Sequence, residues 1–217
     1  MSFIFSQMER FSISVAQESQ FEAVGDFLYE DFLQRERCCV TSGLSGEMTR
    51  DSDGGVILSA LKEGLSLIAI DQEDQSIAGV AINVIVNDSE DEDISKLPRS
   101  HQAIIQLAAS LKDSYKVSRE SSNSQSLHLW MLGVREIHCG KGLARKLTEK
   151  TIELAQQHEM GFIESLATAP ATLHLFGIMG FETKSEMKLQ DFITDDGTPG
   201  FPRATSTDTA RFTVKCL

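Results

Sequence analysis

Gly140-Lys141-Gly142 is the spacing in this chain that could hold an anion. Ahead of it runs Leu127-His128-Leu129-Trp130-Met131-Leu132-Gly133-Val134, a short apolar stretch that reads as a strand buried on both faces. Behind it comes a stretch with helical periodicity. Glycines let the backbone bend closely around a ligand, and the first N–H groups of a helix have no partner within it. Strand, glycine turn and helix N-terminus together present backbone donors to an anion, usually phosphate. Two phosphate motifs are excluded. A P-loop needs Ser or Thr directly after Gly-Lys, and here Gly142 follows Lys141; the dinucleotide fingerprint needs a third glycine where Arg145 stands. By itself the turn is weak evidence, because most glycine turns between a strand and a helix are plain connections that bind nothing.

The elements around it narrow the choice. In the stretch after Gly142, Leu143, Leu147, Thr151, Leu154 and Ala155 share one helical face, with Arg145, Lys146, Glu149, Lys150, Glu153 and Gln156 on the other. A strand is predicted over 162–167, then Thr168-Ala169-Pro170-Ala171-Thr172 and a short helix ending at Ile178-Met179-Gly180-Phe181. Upstream, Phe11, Ile13 and Val15 alternate as a strand. Residues 18–33 carry Phe21, Val24, Leu28 and Phe32 at helical spacing, with a capping box from Ser19 and Glu22. Residues 42–55 read as loop and 56–61 as a short helix. Strands at 65–70 and 77–87 form an antiparallel hairpin. Residues 88–95 are an acidic solvated loop, 102–111 a helix and 118–126 a Ser-rich connector. Strands follow at 181–189 and around Phe212, Val214 and Cys216. The expected architecture is α/β: one domain spanning 1–217, with a mixed, twisted sheet of about seven strands and helices on both faces.

Composition limits the function. The chain has 217 residues, 41% hydrophobic, with a formal charge of −12. That length suits one well-buried domain. An acidic protein has no attraction for nucleic acid or an anionic membrane, and a weak one for cationic amines. No apolar run approaches the roughly 18 residues of a membrane helix, and the first residues lack the basic region of a signal peptide. Cys38, Cys39, Cys139 and Cys216 have neither metal-ligand nor disulfide-framework spacing, so no metal is expected and a reduced, cytoplasmic location is. His128, His138, His158 and His174 form no catalytic pattern and read as surface or packing residues. Cys139 could act as a nucleophile only if the helix N-terminus lowered its pKa.

The order strand, Gly-x-Gly-Leu-Ala, amphipathic helix, strand, short helix, Gly-Phe, strand resembles the GNAT superfamily of N-acetyltransferases. Within it the chain is most similar to the insect-type arylalkylamine (dopamine) N-acetyltransferases and their invertebrate relatives. Three features carry that similarity: the helix ending Phe32-Leu33-Gln34-Arg35-Glu36, the acidic insertion followed by a helix, and the tail from Gly180-Phe181-Glu182-Thr183 to Phe212-Thr213-Val214-Lys215. The resemblance implies acetyl-CoA as co-substrate. Backbone groups of Cys139, Gly140, Lys141, Gly142, Leu143 and Ala144 would cradle the pyrophosphate, and Leu132 and Val134 would face the pantetheine arm. It places Glu36 at the family's catalytic glutamate, and Thr168 and Thr172 at two serines implicated in substrate and coenzyme handling. The residues themselves allow other roles: an ion pair of Glu36 with Arg35 or Arg37, and Thr168 as a helix N-cap. Phe176 stands where many members carry a thiolate-protonating tyrosine, which the arylalkylamine branch generally lacks. Two positions depart from the superfamily: Ile137 replaces Gln or Arg, and Cys139 replaces a basic residue, leaving Arg135 and Lys141 as candidate cations.

The implied reaction is direct transfer of an acetyl group to a small primary amine, such as the arylalkylamines dopamine or serotonin. The alternatives are a polyamine or peptide acceptor, or an acyl-CoA-binding protein without turnover. The sequence leaves monomer or dimer undecided.

Overall fold

A computed structural model of the chain describes residues 10–47, 54–86, 94–116 and 125–217. Seven strands form one sheet: β1 (Phe11–Val15), β2 (Leu67–Asp71), β3 (Ile77–Val86), β4 (Ser126–Val134), β5 (Phe162–Ala167), β6 (Glu182–Lys188) and β7 (Thr209–Cys216), in the order β1-β2-β3-β4-β5-β7-β6. Neighbours are antiparallel except β4 and β5, which run parallel. The mixed seven-stranded sheet expected from the sequence is therefore observed.

The parallel pair is short. Ser126, Leu127 and His128 pair with Phe162, Ile163 and Glu164, and there the ladder ends. Beyond it β4 stays with β3 as far as Val134 opposite Gly79, while β5 stays with β7 as far as Ala167 opposite Arg211. The two strands thus part in mid-sheet and open a fork. A bulge marks the split: Ile82 pairs with Met131 and Asn83 with Leu129, leaving Trp130 as the extra residue on β4. Such a bulge bends its strand away from its old direction. The Ser165 hydroxyl donates to the Leu129 carbonyl at 2.8 Å across the start of the fork.

Helices cover both faces. On one, Leu143–Gln157 buries Leu143, Leu147, Thr148, Thr151 and Ala155 against β2, β3 and β4. This is the apolar face expected from its 3.6-residue period, with Thr148 added and Leu154 left half-buried. Pro170–Ile178 shares that core, with Phe176 stacked on Phe181 at 4.5 Å. On the other face lie Phe21–Phe27, Gly54–Lys62 and Arg99–Lys116.

Several expectations are corrected. The helix over 18–33 is not uniform: a 3-10 turn (Glu18–Gln20) leads into α-helix, then a π-helical turn (Leu28–Phe32) and a last α-turn (Leu33–Arg35). Its N-terminal contact runs from the Gln17 N–H to Gln20 Oε1 at 2.9 Å, not between Ser19 and Glu22. The π-turn lies where the helix meets β4. A Cβ on Gly133 would come within 3.0 Å of the Phe27 ring and 3.1 Å of the Phe32 ring, so strand and helix touch with no room for a side chain. The stretch read as loop from residue 42 instead contains Leu44–Glu47, preceded by Arg37–Ser42 and followed by Gly54–Lys62. Cys38, Cys39, Leu44 and Leu33 supply the burial that holds it. The acidic centre 88–93 and most of the Ser-rich connector, 118–124, lie outside the described residues.

Candidate active site

The glycine turn sits at the end of β4, past the point where β5 has left it. A short 3-10 turn (Glu136–His138) leads in, and Leu143–Gln157 leads out with Gly142 as its N-cap. Gly140 and Gly142 have φ of +76° and +79°, a region that costs an L-residue strain and glycine almost nothing. A Cβ built on either would meet nothing within 4 Å. The turn is thus unplugged, and the first N–H groups of the helix after it are orphan donors. Cys139, Gly140 and Gly142 are exposed, Lys141 and Ala144 are half-buried, and Leu143 is buried, its side chain anchoring the helix start in the core. Leu132 and Val134 lie half-buried on the part of β4 beyond the split.

Glu36 stands across the fork. It is the N-cap of Arg37–Ser42, and its Oε2 accepts from the Cys39 N–H at 2.7 Å. Its Oε1 accepts from the Thr168 hydroxyl at 2.6 Å. Thr168 directly follows the last residue of β5, so the carboxylate is tied to the strand on one side of the cleft. Neither alternative reading of Glu36 as an ion pair holds. Arg37 pairs instead with buried Asp208, and Arg35 with Asp31. Nor is Thr168 the helix cap: Ala169 takes that position with Pro170 as first helical residue, which frees the hydroxyl for Glu36. Thr172, half-buried in the first turn of that helix, makes no hydrogen bond with Glu36 among the described residues.

Arg35 and Glu36 are consecutive and diverge. Arg35 Nη2 donates to the Val134 carbonyl at 2.6 Å, so one residue reaches the end of β4 and the next the end of β5. Asp31, on the π-turn, grips the same guanidinium and also faces the Glu136 N–H at 3.4 Å. Burial works against the charge on Arg35, but the bond to Asp31 and its charge, together with Cys139, hold the pKa above the ordinary value.

The two cations expected at the turn point elsewhere. Arg135 donates to the Ile77 carbonyl at 2.7 Å and lies over the Phe27 ring at 5.4 Å. Lys141 Nζ is 3.3 Å from His138 Nδ1 and 6.0 Å from the Phe11 ring centre. An ammonium only donates, so Nδ1 accepts and the ring proton sits on Nε2, facing Asp71 at 3.5 Å. Asp71, wholly buried, is held by Arg10 Nε at 2.9 and 2.8 Å, and the Arg10 bond keeps its pKa below the carboxylate norm. Burial, reinforced by Lys141, pushes the His138 pKa down. His138 is thus a packing residue, as read, but it also fixes where Lys141 points. His158 and His174 are exposed.

Sequence reading missed Arg35, Asp31 and Ser165, and a buried group deeper in the sheet. There Lys112 Nζ lies 2.7 Å from Glu164 Oε1, and Glu164 pairs in register with His128. Burial lowers the His128 pKa. Among the described residues, no cluster of His, Cys, Asp and Glu could hold a metal, and no helix is long and apolar enough to cross a membrane.

No protein-family model matches the sequence, and no curated protein matches it. Solved structures do match in fold. Arylalkylamine N-acetyltransferase 2 from Aedes aegypti is 23% identical over 95% of this chain and 98% of its own, with a TM-score of 0.82. A mosquito arylalkylamine N-acetyltransferase, like 5b, is 20% identical over 95% of this chain and 100% of its own, at 0.85. The polyamine N-acetyltransferase of Drosophila melanogaster, which forms N-acetylagmatine, is 17% identical over 95% of this chain and 100% of its own, at 0.81. The forked seven-stranded sheet of this chain is the GNAT fold, shared with these acetyltransferases along almost its whole length.

Proposed function

We propose that this chain is an acetyl-CoA-dependent N-acetyltransferase acting on a small primary amine. The observation that carries the reading is Glu36, a carboxylate fixed by Thr168 and the Cys39 N–H at the opening of the fork whose other wall ends in an unplugged glycine turn.

The residues present fit the coenzyme. The Cys139 N–H is taken by the Glu136 carbonyl at 3.1 Å, but the turn from Gly140 to Ala144 offers backbone N–H donors at a helix N-terminus to a diphosphate, and the edge of β4 past the split offers Leu132 and Val134 to the pantetheine arm. Glu36 acts on the amine. An alkylammonium must shed a proton before its nitrogen can attack the thioester carbonyl. Glu36, directly or through one water, accepts that proton. Formation of the C–N bond and departure of the thiolate follow; the second amine proton and the thiolate charge cancel to give amide and free thiol. Phe176, buried against Phe181, has no proton to give, so the thiolate takes its proton from the amine nitrogen or water. Positioning the two substrates in one cleft supplies much of the remaining acceleration.

We read the acceptor as an arylalkylamine such as dopamine or serotonin, with a polyamine or agmatine as the second reading. The fold supports both, since its neighbours include arylalkylamine enzymes and the Drosophila enzyme that forms N-acetylagmatine. A reducing, cytoplasmic setting fits four free cysteines, two of them buried. The test is thiol release from acetyl-CoA with aromatic monoamines, agmatine and polyamines in parallel. Release with an aromatic amine supports the first reading and release with agmatine alone the second. Tight coenzyme binding with no release for any amine would make the protein a binder rather than an enzyme.

A further inference from the structure

The glycine turn has backbone donors but lacks the cation that a doubly charged diphosphate calls for. Ile137 and Cys139 carry none, Arg135 is spent on the Ile77 carbonyl and the Phe27 ring, and Lys141 is drawn off to His138. One guanidinium does stand there. Arg35 Nη2 donates to the Val134 carbonyl, and Cys139 Sγ lies 3.7 Å from that same carbonyl. Arg35, the end of β4 and the first residue of the turn thus converge on one point. The Asp31 and Val134 bonds to Arg35 both run through Nη2, and the Cys139 thiol also lies within hydrogen-bond reach of the guanidinium. Asp31 also faces the Glu136 N–H, tying the guanidinium to the segment that leads into the turn.

We propose that Arg35 is the coenzyme-binding cation of this site, its guanidinium pairing with the diphosphate of coenzyme A; this rests on the coenzyme reading above. A guanidinium suits the task because its planar fork can meet two phosphate oxygens at once, and Asp31 orients it in advance. The charge thus comes from the helix across the fork rather than from the turn itself. Coenzyme binding would then hold Arg35 on the β4 side of the cleft while Glu36 stays bound to Thr168 at the end of β5.

The test uses calorimetry on the wild-type chain, Arg35→Ala and Arg35→Gln, titrated with coenzyme A and with adenosine 3′,5′-bisphosphate, which lacks the diphosphate. Arg35→Gln keeps an N–H donor for the Val134 carbonyl and removes the charge, so it preserves a merely structural role. Both variants should bind coenzyme A about 10- to 100-fold more weakly, with a shallower dependence on salt, while affinity for the bisphosphate changes less than about two-fold. Coenzyme affinity unchanged or tighter in Arg35→Gln, or restored to wild type by it after loss in Arg35→Ala, would overturn the role of Arg35 alone. Absence of coenzyme binding by the wild-type chain would instead overturn the acetyltransferase reading.

Discussion

Both oxygens of the Glu36 carboxylate are held, Oε1 by the Thr168 hydroxyl at 2.6 Å and Oε2 by the Cys39 N–H at 2.7 Å. One bond reaches across the fork to the end of β5, and the other begins a helix. The side chain is therefore fixed in direction, as the proposed base would need to be.

Glu36→Gln keeps the shape of the side chain and an acceptor oxygen, and removes the carboxylate proposed as the base. In steady-state kinetics kcat/KM should fall by roughly 10²–10⁴ while the melting temperature moves little. Glu36→Ala should add a loss of about 1 kcal/mol in stability, the usual cost of a missing N-cap. A Glu36→Gln variant as active as the wild type would remove Glu36 from the chemistry.

Thr168→Val is close to isosteric and lacks only the hydroxyl. Losing one hydrogen bond to a charged group, worth about 1.5–3 kcal/mol, should lower kcat/KM by about 10-fold or more, and Thr168→Ser should recover most of it. Equal rates for Val and Ser would show that the Thr168–Glu36 bond does not serve catalysis.

Gly142→Ala meets no neighbouring atom, so its stability cost is backbone strain alone, about 1–2 kcal/mol by denaturant unfolding. Gly133→Ala differs: its Cβ presses on Phe27 and Phe32, and overpacking costs about 1–3 kcal/mol. The first change should weaken coenzyme binding directly. The second should displace the helix that carries Glu36 and lower kcat. Reversal of that pattern would contradict the assignment of turn and helix.

Stability should fall on mild acidification. Burial lowers the folded-state pKa of both His138 and His128 below the unfolded value near 6.5. Below about pH 6.5 the unfolded chain therefore binds more protons than the folded one, and ΔG of unfolding declines as pH drops towards the folded pKa values. The Asp71 carboxylate, whose pKa is lowered by Arg10, adds a further loss in the more acidic range below its unfolded value of about 3.9. A urea-unfolding series from pH 8 to 5 checks the first window, and His138→Gln should flatten it. A flat profile in the wild type would show that neither imidazole is kept neutral by the fold.

Lys112→Met should remove the ammonium that lies 2.7 Å from the buried Glu164 carboxylate and destabilise the β4–β5 junction by about 3 kcal/mol, within the range for breaking a buried pair. Lys112→Met with Glu164→Gln should recover part of that loss. A single substitution with no effect on unfolding would indicate that water already reaches Glu164.

Much of this was legible in the sequence, and the reason differs by element. The glycine turn and the helix after it announce themselves because a 3.6-residue apolar stripe and two positive-φ glycines leave strong local marks. Strand β5 was legible to the residue because a short apolar run between a glycine and a Thr-Ala-Pro turn has few other readings. The π-turn at Leu28–Phe32 left no mark, since it arises from the close packing of Phe27 and Phe32 on Gly133, a contact between residues about a hundred positions apart. Arg35 was invisible for a similar reason. In Gln34-Arg35-Glu36-Arg37 every side chain looks solvated, and only the fold sends Arg35 to Val134, Glu36 to Thr168 and Arg37 to Asp208. Thr168 looked like a cap because Pro170 follows so closely. The backbone instead begins the helix one residue later, and the freed hydroxyl donates to Glu36.

The most direct measurement is thiol release when the purified chain meets acetyl-CoA and a panel of aromatic monoamines, agmatine and polyamines, with Glu36→Gln run beside it. The account predicts amine-dependent release by the wild type and a loss of at least about 100-fold in the variant. No release with any amine, or equal release by the two proteins, would contradict it.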